Sequence, residues 1–153
     1  MKLRKLLIFW AWIYILFFIS AVISGSFARE FSAGYMQSTL AHYLPGLSME
    51  SIQRLVTIIR KSIHLLGYSG LGISSYFVLG DADWFRRSPY VGGLMMGLVV
   101  AAFDELLQVW SPFRTGSIVD VFLDLLGVLL GLAVVKVIEI VFPDLLAAER
   151  DQP

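Results

Sequence analysis

Apolar residues in this chain gather into four long runs, and the polar positions between and within them carry most of the information. The first run extends from Leu6 to about Ser24, behind Lys2, Arg4 and Lys5. The second covers about Thr57 to Leu79, the third about Tyr90 to Val109, and the fourth about Ile118 to Phe142. Each approaches the roughly 20 residues that a helix needs to cross hydrocarbon. The pattern therefore predicts an all-α polytopic membrane protein of about four transmembrane helices, near 6–24, 57–79, 90–109 and 118–142, in a single domain over 1–153. Start signals fit these bounds: Ser88-Pro89 reads as an N-cap with a first-turn proline, and Ser117 is placed to cap the fourth helix.

The first run also has the parts of a secretory signal: a basic start, an apolar core and small residues at Ser24-Gly25-Ser26. Its length, and the presence of Trp10, Trp12 and Tyr14, suit a retained anchor better. A long loop follows, from Gly25 to Thr57. Within it Phe31, Tyr35, Met36, Leu40 and Tyr43 alternate with polar residues, as in a short helix lying in the membrane interface. Pro45-Gly46 ends that helix, and Ser48 with Glu50 restarts helix before the second span.

Composition strengthens the membrane reading, since hydrophobic residues make up 58% of the chain and charged residues 16%, with a mean hydropathy of +0.76. A soluble domain carries more charge. The chain has no cysteine, which removes disulfides and thiolate chemistry. Its net charge is zero and it has no long basic run, so nucleic acid is not an expected partner. Basic residues at the N-terminus and at Arg86-Arg87 place both termini in the cytoplasm and the Gly25 to Thr57 loop outside.

Against this apolar background, Lys61, His64, Asp104, Glu105, Arg114, Asp120 and Asp124 stand inside or at the lip of the runs. A charge at mid-membrane costs roughly 2.5 to 3.5 kcal/mol on insertion scales, so such residues usually face protein or water and pair with one another. With the termini inside, all of them fall toward the outer side. Spacings of three, four or seven put Lys61, His64 and Tyr68 on one face of the second helix. The same spacing groups Asp104 with Gln108 on the third, and Ser117, Asp120, Asp124, Gly127 and Gly131 on the fourth.

Plainer roles compete for each. Ser117 and Asp120 have capping-box spacing. Lys61 and Arg60 are near enough to a helix start to snorkel to the surface. Glu105 points about 100 degrees from Asp104. Gly127 with Gly131, and Gly93 with Gly97, have the spacing of small-residue packing seams. Charge arithmetic nevertheless favours a network. Four carboxylates (Asp104, Glu105, Asp120 and Asp124) face two firm cations (Lys61 and Arg114), which leaves two to be protonated, paired with His64, or matched by a cation or a cationic ligand group.

In this order, Lys61-x-x-His64-x-x-x-Tyr68, then Asp104-Glu105-x-x-Gln108, Pro112-x-Arg114, Ser117, Asp120, Asp124, Gly127 and Gly131 resemble the VanZ-like family of bacterial membrane proteins. The likeness covers about Arg60 to Gly131, and its Asp-Glu-x-x-Gln to Arg-x-x-Ser-x-x-Asp stretch is specific in combination. The family pattern usually has Asn where this chain has Asp124. The resemblance implies a small polytopic protein of the bacterial envelope, in the cytoplasmic membrane, in a family whose namesake is associated with resistance to the glycopeptide teicoplanin.

Three functional readings follow. The leading one is a polar pocket open to the outer leaflet that binds or remodels a lipid-linked, cell-wall or lipoglycopeptide-like molecule. Lys61 and Arg114 would engage an anionic headgroup there, held in place by the carboxylates. The second is an intramembrane enzyme acting on a lipid headgroup, with His64 and a carboxylate as acid and base or as ligands of a divalent metal. No nucleophile motif, phosphate loop or paired-His motif supports it, so no cofactor or metal is expected. The third is a structural or proton-coupled transport role, for which four spans require a homo-oligomer. Membrane lipids are partners under all three.

Overall fold

The computed structural model describes residues 6–13, 15, 33–82, 84–109 and 117–144, apart from the side chains of Leu107 and Gln108. The described residues form helices and turns, with no strand among them. In chain order the helices are α1 (6–13), α2 (Ala33–Tyr43), α3 (Met49–Leu79), α4 (Pro89–Val109) and α5 (Ile118–Val141).

α2 lies where the mixed apolar and polar segment of the long loop predicts a short helix, and it runs against α3. α3 begins well before the apolar run at Thr57. Ser48 caps it by accepting the Ser51 N–H, and an exposed Glu50–Arg54 ion pair at 2.6 Å, one turn apart, supports its polar first turns. Its 31 residues span about 46 Å, so the hydropathy run marks only the apolar part of a longer rod.

α4 and α5 end within a residue of their predicted bounds. Among the described residues two helical stretches, Pro89–Leu106 and Ile118–Val141, are long and apolar enough to cross a membrane, and the expected second span at 57–79 is not one of them. The rest of the first predicted span, beyond residue 15, lies outside the described residues.

Glycines set how closely the rods approach. A Cβ on Gly127 would lie 2.6 Å from the Leu65 carbonyl oxygen and one on Gly72 would lie 2.5 Å from that of Val128, while one on Gly131 would collide with the Ser69 carbonyl. The α3–α5 seam therefore brings backbone against backbone, as the Gly127/Gly131 spacing predicts. Gly93 and Gly97 of α4 instead leave room for the side chains of Leu132 and Val128 of α5.

Tyr68, Leu71, Val100, Ala101, Val128 and Val135 fill the space between α3, α4 and α5. α1 joins this core through buried Phe9 and Ile13, and through Trp12, whose indole Nε1–H donates to the Gly67 carbonyl at 2.7 Å. The outward faces are apolar as well: Met95, Val99 and Phe103 of α4 and Phe122, Val137 and Ile140 of α5 are exposed. The buried residues, by contrast, include Asp104, Glu105 and Asp124.

Candidate functional site

α3, α4 and α5 each bring an ionisable or hydroxyl side chain to the same end of the bundle, and helical spacing accounts for the register. His64 and Tyr68, four residues apart, lie on the α3 face turned to α5, and their rings stack at 13° with centroids 6.4 Å apart. From α5, Asp124 is 1% exposed, and its Oδ1 is 3.3 Å from His64 Nδ1. From α4, Asp104 is 3% exposed. One potential ligand atom from each of His64, Asp104 and Asp124 lies within 4.8 Å of the others. The Tyr68 hydroxyl is in the electrostatic reach of Asp104 and lies beside Asp124 as a hydrogen-bonding neighbour, just outside strict hydrogen-bond geometry. Two other buried polar atoms in this cluster make no hydrogen bond: His64 Nε2 and Asp124 Oδ2.

Glu105 is also buried, but its task differs from that of its neighbour. Its Oε2 accepts the Ser117 backbone N–H at 2.6 Å. That contact corrects the capping-box expectation, because the Ser117 side chain makes no cap hydrogen bond and the carboxylate that serves the start of α5 comes from α4. The roughly 100 degrees between consecutive helical residues thus divides the acidic pair: Asp104 turns to His64, and Glu105 to the first turn of α5.

A cavity of about 110 Å³ opens beside this cluster, lined by Thr57, Arg60, Lys61, His64, Asp120, Leu123 and Asp124. Lys61 is exposed at its edge and forms no ion pair with a described carboxylate. The expected Lys61–carboxylate pairing is therefore absent among the described residues. With solvent within reach of its long side chain, the ammonium has no need of a buried partner. Arg60, assigned from the sequence to the surface, is half-buried on the cavity wall instead. Asp120 is half-buried on the opposite wall. Arg114 and the side chain of Gln108 lie outside the described residues.

A second cluster, which the sequence reading passed over, ties the other end of the bundle. Glu139 of α5 accepts hydrogen bonds from Tyr76 of α3 on Oε1 and from Tyr90 of α4 on Oε2, the latter at 2.6 Å. Lys136 reaches the same Oε2 at 3.1 Å and lies 5.7 Å from the centre of the Tyr90 ring. Glu139 and Lys136 fall inside the predicted fourth span, so the signal that singled out Asp124, a charge within an apolar run, was present there too.

Fold and site together define an all-helical protein whose apolar-faced rods enclose acidic, imidazole and phenol groups. Residues 5–139 match the VanZ/LLP1 family model, and the chain belongs to the VanZ/LLP1 family. No curated protein and no solved structure gives a match. Membership agrees with the resemblance carried by Lys61 to Gly131 and points to a membrane-associated envelope protein.

Proposed function

We propose that this chain is a multi-pass protein of the bacterial cytoplasmic membrane, a single domain of about four spans with both termini cytoplasmic. In this reading its cavity opens toward the outer leaflet and binds the anionic headgroup of a lipid-linked cell-wall or lipoglycopeptide-like molecule. The membrane reading draws on an inverted distribution. Phe103 and Phe122 face outward while Asp104 and Asp124 are buried, and large exposed apolar faces on a soluble monomer would be a liability.

The observation that carries the binding reading is the cavity itself. Two cations, Arg60 and Lys61, stand on its wall, with the unsatisfied Nε2 of His64 and Oδ2 of Asp124 buried at its base. A guanidinium and an ammonium side by side suit a phosphate or carboxylate headgroup, the first by its planar fork and the second as a mobile point charge. Arg60 joins Lys61 and Arg114 as a cation that this reading assigns to the headgroup.

The test uses the full chain in lipid nanodiscs, titrated with a polyprenyl-phosphate-linked saccharide and with a teicoplanin-type lipoglycopeptide. Saturable binding of either ligand, weakened at least tenfold in the folded Arg60→Gln/Lys61→Gln variant, is expected. Equal affinity in the variant and the wild type would remove the cavity from the mechanism.

The buried His64–Asp124 contact favours one second reading, an enzyme acting on the bound headgroup with this pair as acid and base. Turnover of the same ligands, followed by mass spectrometry, separates that reading from simple binding.

A further inference from the structure

We infer that His64, Asp104 and Asp124 form a binding site for one divalent cation of the zinc or manganese type, with the Tyr68 hydroxyl beside it. The inference does not depend on which headgroup, if any, fills the neighbouring cavity.

Geometry is the first ground. The ligand atoms of the three residues, one from each of α3, α4 and α5, lie within 4.8 Å of one another. Around an ion with bonds of about 2.0–2.2 Å, neighbouring ligand atoms stand roughly 3 to 3.5 Å apart, so small side-chain rotations close the set. The closest pair is already there: His64 Nδ1 and Asp124 Oδ1 are separated by 3.3 Å. At that distance the pair makes a weak hydrogen bond, longer than a strong charge-assisted one at about 2.7–2.9 Å, and the same separation suits two ligands on one ion.

The second ground is independent of ligand spacing. Tyr68 is 2% exposed and Asp124 1%, yet Asp124 Oδ2 and His64 Nε2 make no hydrogen bond, and the Tyr68 hydroxyl beside Asp124 stays outside strict hydrogen-bond geometry. Buried polar atoms in native proteins are nearly always satisfied, and each exception needs a reason. A cation supplies one. It takes carboxylate oxygens as ligands, and a bound water on it would reach the phenol.

Chemistry selects the type of ion. An imidazole ligand favours zinc, manganese or another transition ion over calcium or magnesium, which take oxygen ligands. Two carboxylates with one neutral imidazole balance the ion's double charge, which suits a buried site. The same ion would answer the charge arithmetic of the sequence, in which acidic groups outnumber firm cations at this end of the bundle. The ligands also come from three different helices, so occupancy would tie α3, α4 and α5 together.

The test is metal binding by the purified full chain in detergent or nanodiscs, stripped with a chelator and titrated with Zn²⁺, Mn²⁺ and Mg²⁺. One equivalent of Zn²⁺ or Mn²⁺ is expected to bind at least tenfold more tightly than Mg²⁺ and to raise the melting temperature. His64→Gln and Asp104→Asn should each weaken that ion at least tenfold and abolish the thermal shift. Should either variant fail to fold, pulsed electron paramagnetic resonance on the wild type with Mn²⁺ decides, since one histidine nitrogen must couple to the bound ion. Substoichiometric binding by the wild type, absence of nitrogen coupling, or unchanged affinity in folded His64→Gln would overturn the site. Headgroup binding that persists in the metal-free protein would leave the cavity reading intact, so the two fail separately.

Discussion

Three helices meet twice in this protein, and the two meetings are built on opposite terms. At one end Glu139 has both carboxylate oxygens engaged, by the Tyr76 and Tyr90 hydroxyls and by Lys136, so a single acidic group ties α3, α4 and α5. At the other end the same three helices contribute His64, Asp104 and Asp124, and His64 Nε2 and Asp124 Oδ2 are buried without a hydrogen bond. The first arrangement is a finished clasp. The second is costly for folding unless something is bound, because leaving a buried polar atom unsatisfied costs about 1–3 kcal/mol. Ionisable groups inside an apolar bundle thus do not announce a site by their presence. What separates a site from a clasp is whether the protein alone satisfies them.

The strongest way to break this contrast is to remove the scaffold that both ends share. Gly131→Leu would drive a side chain into the Ser69 carbonyl on the α3–α5 seam, and no rotamer relieves a collision with backbone. We expect destabilisation on the order of 3 kcal/mol or more, with clasp and pocket lost together. Denaturant unfolding in detergent measures the first, and ligand or metal titration the second. A variant that loses only one end would show that the two ends are not coupled through the seam.

Much of this architecture is legible in the sequence, for reasons that also explain what is not. The apolar runs gave α4 and α5 within a residue because little but helix can hold such runs. Asp104 and Asp124 stand out because a carboxylate there needs a strong reason to persist. Arg60 was missed because it precedes Lys61, and one-dimensional spacing cannot say which of two adjacent cations turns inward. The cavity turns Arg60 to its wall and leaves Lys61 exposed at the edge. Glu105 read as a second member of the network, whereas it holds the Ser117 amide; a backbone donor leaves no trace in sequence. The clasp was overlooked for a third reason. Two of its three donors are tyrosines, which in an apolar run look like ordinary lipid-facing or core aromatics, and Glu139 with Lys136, three residues apart, reads as a local helix-surface ion pair.

The next largest effects should separate the two ends. Glu139→Ala removes the acceptor for Tyr76, Tyr90 and Lys136, and hydrogen bonds to a charged group contribute about 1.5–3 kcal/mol each. With Glu139 only partly buried, a net loss of about 2–3 kcal/mol is expected, with headgroup and metal affinity preserved in the folded fraction. Asp124→Asn should do the reverse. It keeps the shape and removes a buried charge, so stability should change by less than about 1 kcal/mol or rise. Ligand and metal binding should fall at least tenfold. Two melting curves and two titrations check the pair, and equal behaviour of both variants in both assays would erase the distinction between clasp and site.

The smallest expected effect concerns Lys61, and it sharpens the contrast by its size. A lysine buried against Asp104 would leave an uncompensated charge when replaced, costing about 3–5 kcal/mol. Lys61 instead stands exposed at the cavity edge, where an ammonium contributes to stability at most about 1 kcal/mol. Lys61→Met should therefore leave the melting temperature nearly unchanged. Combined with Asp104→Asn it should add to that change within about 0.5 kcal/mol, the behaviour of residues that do not touch. A coupling above that size would place the ammonium inside the cluster, supply one of the missing partners from the protein itself, and make the outer end a second clasp. Additivity together with weakened headgroup binding would instead leave Lys61 where the cavity puts it, as a group that meets the ligand and has no part in holding the fold.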